Sequence, residues 1–180
     1  MKHFTPAVIA GSTALMVACG APPSSPPATH TNTPSTSVAP LPDLPERKAI
    51  DAYLGMWREM AVAGETANPR SPELARYATG EALSLINNSL HEMERDGHIS
   101  KGRPKGDPQV TNVDRNEGVV NVVRLRDCGD STDWLKYRRD NGQLVDGEAG
   151  GRRSIIAEVV VQPDGAWRVT RFAVRGLGTC

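Results

Sequence analysis

The chain has 180 residues, and its 21 Lys plus Arg are balanced by 21 Asp plus Glu, so no bulk charge draws it toward nucleic acid or an anionic membrane. Hydrophobic residues make up 38% of it and concentrate after residue 43, leaving roughly 140 residues, the size of one ordinary domain.

Met1-Lys2-His3 is a short basic start, and the apolar run over 7–18 is interrupted only by Gly11, Ser12 and Thr13. That run is too short for a permanent span of a ~30 Å hydrocarbon core, which takes about 20 apolar residues. Residues 1–18 therefore read as an export signal. Its end, Leu15-Met16-Val17-Ala18-Cys19-Gly20, resembles a bacterial lipobox, with Met16 where Leu is usual. The resemblance implies that Cys19 is lipidated and holds the exported chain on the outer face of the cytoplasmic membrane. Each buried methylene contributes ~0.8 kcal/mol, and two or more acyl chains make a stable anchor. Residues 19–42 follow as a tether rich in Pro, Ser and Thr, with too few large apolar groups to offset the entropy of folding. In a polyproline-like state it reaches ~70 Å.

The pattern changes at 43–180. Asp43 and Glu46 fit a capping box for a first helix in which Ile50, Tyr53, Leu54, Trp57, Met60 and Ala61 recur at helical spacing, with an end near Gly64. Ser71-Pro72 starts a short second helix reaching about Ala78, and Thr79 starts a third with Leu83, Ile86, Leu90 and Met93 on one face and Gly97 as its stop. Strands follow at 109–115, 119–127, 133–139, 154–162 and 166–174. The last two form a hairpin across Pro163-Asp164-Gly165, where Pro sets the bend and Gly tolerates positive φ. Phe172 is out of phase with Trp167 and Val169, which predicts a bulge.

Helices first and antiparallel strands after them define an α+β domain with the N-terminal helices packed on one face of a curved sheet. Over about 44–175, and in the stretch PELARYATGEAL at 72–83, the chain resembles the NTF2-like, or SnoaL-like, cone fold; a cystatin-like arrangement is the alternative. The segments DCGDSTDWLKYR at 127–138, GRRSI at 151–155 and WRVTRFAV at 167–174 resemble an actinobacterial membrane lipoprotein family, a likeness that implies no activity. Enzymes of the cone fold place an Asp or His inside a pocket, and the resemblance makes Asp51, Glu59, His91, Asp114, Asp130 and Asp133 candidates by position.

With Cys19 as the lipid site, Cys128 and Cys180 remain as an even pair in an oxidising compartment, and a disulfide is expected. No metal or other cofactor is expected, because two lone Cys, with His91 and His98 in and just after a helix, lack metal-ligand spacing. Asp127, Asp130 and Asp133 read as turn-capping carboxylates, since the stretch lacks the closing Glu of a calcium loop. Tyr53, Trp57, Tyr77, Trp134, Tyr137 and Trp167 either line a pocket between helices and sheet or fill the core. Lys101, Arg103 and Lys105 read as a solvated loop. The leading expectation is a non-catalytic, lipid-anchored domain that binds a protein or envelope component. A SnoaL-like small-molecule enzyme or carrier and an accessory subunit of an envelope transport system are the alternatives.

Overall fold

Helix α1, Pro45–Gly64, follows an extended Leu44, and Pro45 occupies the first turn, where a missing N–H breaks no helical bond. The structure is a computed structural model describing residues 44–145 and 150–180, so the expected signal peptide, Cys19 and tether lie outside the described residues. So does Asp43. The expected capping box is corrected here, because the helix is capped by Leu44, whose side chain makes no hydrogen bond. No helix among the described residues is long and apolar enough to cross a membrane.

Of the expected α1 stripe, Tyr53 and Ala61 are buried and Ile50, Leu54, Trp57 and Met60 pack partly buried against the core, but the centre of the buried face is turned toward Ala49, Ala52, Tyr53 and Met56. Small residues let the helix approach its neighbours closely. Gly55 shows this best, since a Cβ there would collide with the ring of Tyr77 in α2 (Leu74–Tyr77). That ring is held by Arg58, which donates to its hydroxyl at 3.1 Å, and by the guanidinium of Arg76 at 5.8 Å. Gly55→Ala is therefore expected to destabilise the domain by about 1–3 kcal/mol through overpacking, despite a helix-propensity gain of about 1 kcal/mol. Urea unfolding checks this; a more stable variant would mean that the Tyr77 ring yields.

Helix α3, Gly80–Arg95, buries Ala82, Ile86, Leu90 and Met93 as one stripe and stops where Gly97 takes φ +69°. Thr79, just before it, donates its N–H to Val169 O at 2.9 Å, which ties the helix start to the last strand. The short α2 begins after Ser71-Pro72 rather than on them, with Glu73 at its N-cap.

Six strands follow: β1 (His98–Lys101), β2 (Gln109–Asn116), β3 (Val119–Asp130), β4 (Leu135–Arg138), β5 (Arg152–Val161) and β6 (Trp167–Val174). A four-stranded antiparallel sheet has the order β2-β3-β5-β6, and β1 pairs with β4 as a separate two-stranded sheet. Two expectations are corrected by this. The strand expected at 133–139 does not join the main sheet, and its partner β1 was expected to be loop. Four residues are too few to show a period-2 pattern, so β1 gave no strand signal.

Val123 and Leu125 of β3, Ile155, Ala157 and Val159 of β5, and Val169 of β6 form the buried face, and α1 and α3 lie across it. The β5–β6 hairpin turns at Pro163-Asp164-Gly165, where Arg168 clamps Asp164 with bonds of 3.0 and 2.8 Å. Register shifts between Glu158 and Val159, which leaves Thr170 as the extra residue and brings Phe172 onto the same face as Val169. Two more shifts in β2–β3 bend the sheet further. The result is α+β, with helices on the inner face of a curved antiparallel sheet, the NTF2-like cone arrangement; a second long helix on that face sets it apart from the cystatin-like alternative. The outer face carries a run of alternating charge: Arg124 bridges Asp114 at 2.7 Å and Glu158 at 3.4 Å, and Glu158 bridges Arg171 at 3.0 Å.

Candidate functional site

On the inner face, β3 continues the alternation Val123, Leu125 with Asp127, so a carboxylate occupies a position that apolar residues hold further along the strand. Asp127 is 5% exposed. Its Oδ2 accepts the Tyr53 hydroxyl of α1 at 3.0 Å, and its Oδ1 accepts the backbone N–H of Asp107 at 2.9 Å. Gly106 makes the second bond possible, because any side chain there would run into Oδ2. A carboxylate offers about four acceptor sites; these two bonds leave the rest available.

What those sites face is a cleft of about 440 Å³ between α1, α3, the 103–106 loop and the sheet. Leu54, Trp57 and Met60 of α1 wall one side, Ile86 and Ser89 of α3 another, and Ile155 and Phe172 of the sheet a third. The volume falls within the ~300–1,000 Å³ typical of small-ligand pockets. Trp57 is the hub of the aromatic wall, edge-on to Trp134 at 6.1 Å and to Phe172 at 5.3 Å. Its mouth is apolar on one side, where Leu85 and Val174 are 49% and 43% exposed. Basic residues line the cleft too: Arg58, Arg103, Lys105 and Arg153.

Burial first, and then the charge of Asp127, push the Tyr53 phenol well above its ordinary range, so its hydroxyl stays protonated and stays a donor. The Trp57 indole N–H acts on the same oxygen in the opposite sense. That influence falls short of a bond, for Trp57 Nε1 is buried without a hydrogen-bond partner among the described residues. A buried donor and a buried acceptor therefore border the cleft, each with unused capacity.

The structure scatters the carboxylates proposed by position. Asp51 is exposed on α1, Glu59 pairs with Arg58 at 3.1 Å, and His91 pairs with Glu94 at 3.6 Å on the exposed side of α3. Asp114 belongs to the outer-face charge run, Asp130 accepts from the backbone and hydroxyl of Thr132, and Asp133 pairs with Lys105. None of the six lines the cleft. Asp127, expected to cap a turn, is corrected to a buried strand residue of the site; the signal was its even spacing from Val123 and Leu125.

Of the six aromatic residues, Trp57 and Trp134 line the cleft and Tyr53 sits behind Asp127. Tyr77 packs on Gly55, Tyr137 lies under Lys101 at 5.0 Å, and Trp167 packs against the core at the start of β6. His98 belongs to β1. Cys128 and Cys180 form a disulfide beside Asp127, at a sequence separation of 52. Among the described residues no group of three His, Cys, Asp or Glu side chains has metal-holding geometry. A second hollow of about 500 Å³ lies by the charge run near Arg124 and Arg171; it is more open, and of its acidic residues Glu81 and Glu158 the latter is already ion-paired.

No family model and no curated protein sequence matches the chain. Among solved structures, the intermembrane space region of the chloroplast protein ARC6 is 13% identical, covering 74% of this chain and 98% of that one at a TM-score of 0.48. A putative scytalone dehydratase from Novosphingobium aromaticivorans is 12% identical, with 70% and 82% covered and a TM-score of 0.44. A ketosteroid isomerase-like protein from Erwinia carotovora atroseptica is 10% identical, with 67% and 93% covered and a TM-score of 0.33.

Proposed function

We propose that this domain binds a small, mainly apolar molecule carrying a hydrogen-bond donor, and that it does so outside the cytoplasmic membrane on a lipid anchor at Cys19. One observation carries the reading: a roomy cleft opens onto a carboxylate that is buried and still has acceptor sites to give. Burying such a group costs several kcal/mol unless its bonds are completed, so a ligand donor facing Asp127 gains more there than on an open surface. This changes the emphasis from docking a macromolecule to holding a small one. Binding is favoured over turnover because no His, Cys or second carboxylate lines the cleft among the described residues, and the Tyr53 hydroxyl is committed to Asp127.

The test uses N-phenyl-1-naphthylamine, an apolar aromatic amine with one N–H that fluoresces when it leaves water. Saturable one-to-one binding is expected, weakened about three- to tenfold in Asp127→Asn, where a charge-assisted bond becomes a neutral one worth about 1 kcal/mol less. It should be abolished in Ser89→Trp, which fills the cleft, with circular dichroism confirming that this variant folds. Binding that Ser89→Trp leaves intact would end this reading. The anchor is tested separately: Cys19→Ser is expected to abolish labelling by a tagged fatty acid and release the protein from membranes, and unchanged labelling would refute lipidation at Cys19.

A further inference from the structure

We infer that the ligand is a single-tailed amphiphile with an acidic head, its carboxylate or phosphate at the basic side of the mouth and its inward tail carrying the donor that faces Asp127. This rests on the cleft being a small-molecule site. Of the four cationic side chains that line the cleft, Arg58 of α1 is already held by Glu59 and by the Tyr77 hydroxyl, and the other three come from two separate elements: Arg103 and Lys105 from the loop after β1, and Arg153 from β5. Asp127 is the sole carboxylate among its described lining residues. Arg153 also stands apart from Asp127. Register pairs Asp127 with Ile155 and Gly129 with Arg153, so Arg153 stands two residues along the strand from the row of Asp127, about 7 Å away.

Such a separation selects an orientation. A carboxylate placed beside Asp127 meets a like charge in a water-poor site, whereas at the mouth it meets Arg153, which has no acidic partner among the described residues. The other two cations can be recruited at little cost. Lys105 is paired with Asp133 at 2.7 Å and Arg103 with Glu65 at 3.6 Å, and all four side chains are at least half exposed. Exposed pairs of this kind contribute ~0–1 kcal/mol, so an incoming acid can displace the protein carboxylate. Between head and floor lie Leu54, Met60, Ile86, Ile155 and Phe172, which have nothing to offer a polar body.

The experiment displaces bound N-phenyl-1-naphthylamine from the full-length chain, using 12-hydroxydodecanoate, 12-hydroxydodecyl phosphate and methyl 12-hydroxydodecanoate below their aggregation limits, and phosphatidylglycerol vesicles. Both acids are expected to displace the probe at least tenfold more effectively than the ester, with the ratio shrinking as salt rises. Arg153→Gln should bring the ratio to about threefold or less, and Asp133→Asn, by freeing Lys105, should raise acid affinity. Equal displacement by acid and ester overturns the inference but leaves the cleft reading standing. Displacement by vesicles alone overturns it in favour of a membrane surface as the source of the acidic head. A probe that never binds removes the cleft reading itself.

Discussion

Cys180→Ser is expected to lower the free energy of unfolding by about 4 kcal/mol, the chain-entropy value for the loop closed between Cys128 and Cys180. At roughly 3 °C per kcal/mol for a domain of this size, the melting temperature should fall by about 12 °C. The local consequence follows from what the tail touches. Gly178 N–H donates to Arg152 O at 2.8 Å, Ser154 N–H donates to the Thr179 hydroxyl at 2.9 Å, and Leu177 lies against Gly151. These contacts are exposed and few, so without the covalent tie the last residues fray from the start of β5. Calorimetry of native, reduced and Cys128→Ser/Cys180→Ser protein checks the value, and the double variant should behave like the reduced form. A loss under 1 kcal/mol would show that the bond constrains the unfolded chain far less than its loop length implies.

The parts of this fold that were legible in the sequence are those where one physical signal acts alone. Ile86, Leu90 and Met93 recur at helical spacing on a helix that packs against one neighbour layer, so the period is clean. The β5–β6 hairpin combines alternation with Pro163-Asp164-Gly165, and even its bulge was announced by the phase of Phe172. Cys128 and Cys180 were the only Cys left once Cys19 was assigned. In α1 two signals compete: Leu54, Trp57 and Met60 border a cleft, while Tyr53 and Met56 are buried together with the small Ala49 and Ala52. A stripe read by side-chain size therefore mixes cleft-lining residues with core ones. The site was hidden for a related reason. Asp127 ends the strand expected at 119–127 and stands next to Cys128-Gly129-Asp130, a composition that resembles a turn, although its even spacing from Val123 and Leu125 is what places it on the inner face. The strand expected at 133–139 contains β4, but β1 and its pairing with β4 gave no local signal, since they are fixed by long-range contacts such as Trp134 Nε1 donating to the buried Ser100 hydroxyl at 3.2 Å.

Tyr53→Phe carries the second large expected effect, because it removes one of the two hydrogen bonds that hold a buried carboxylate. Hydrogen bonds to charged groups contribute about 1.5–3 kcal/mol, and the Phe variant should lose about 2 kcal/mol of stability with its packing otherwise preserved. Asp127→Leu alone strands the Tyr53 hydroxyl, which burial keeps protonated and away from water, and costs about 1–3 kcal/mol for that orphaned donor. Combined, the two changes leave no orphan between these two side chains; the Asp107 N–H, which Asp127→Leu strands in the single and the double variant alike, cancels from the comparison. The double variant is therefore expected to be more stable than the sum of the single losses by about 1.5–3 kcal/mol, measured as a coupling energy in urea unfolding. Additivity within about 0.5 kcal/mol would mean that the 3.0 Å contact between Tyr53 and Asp127 carries little energy. Coupling and function separate cleanly in this cycle. Asp127→Leu removes the acceptor from the cleft and should cost ligand affinity as well as stability, whereas Tyr53→Phe leaves the acceptor in place, held by Asp107 N–H alone. If affinity falls with the Phe variant too, the hydroxyl of Tyr53 aims the carboxylate at the ligand rather than merely satisfying it.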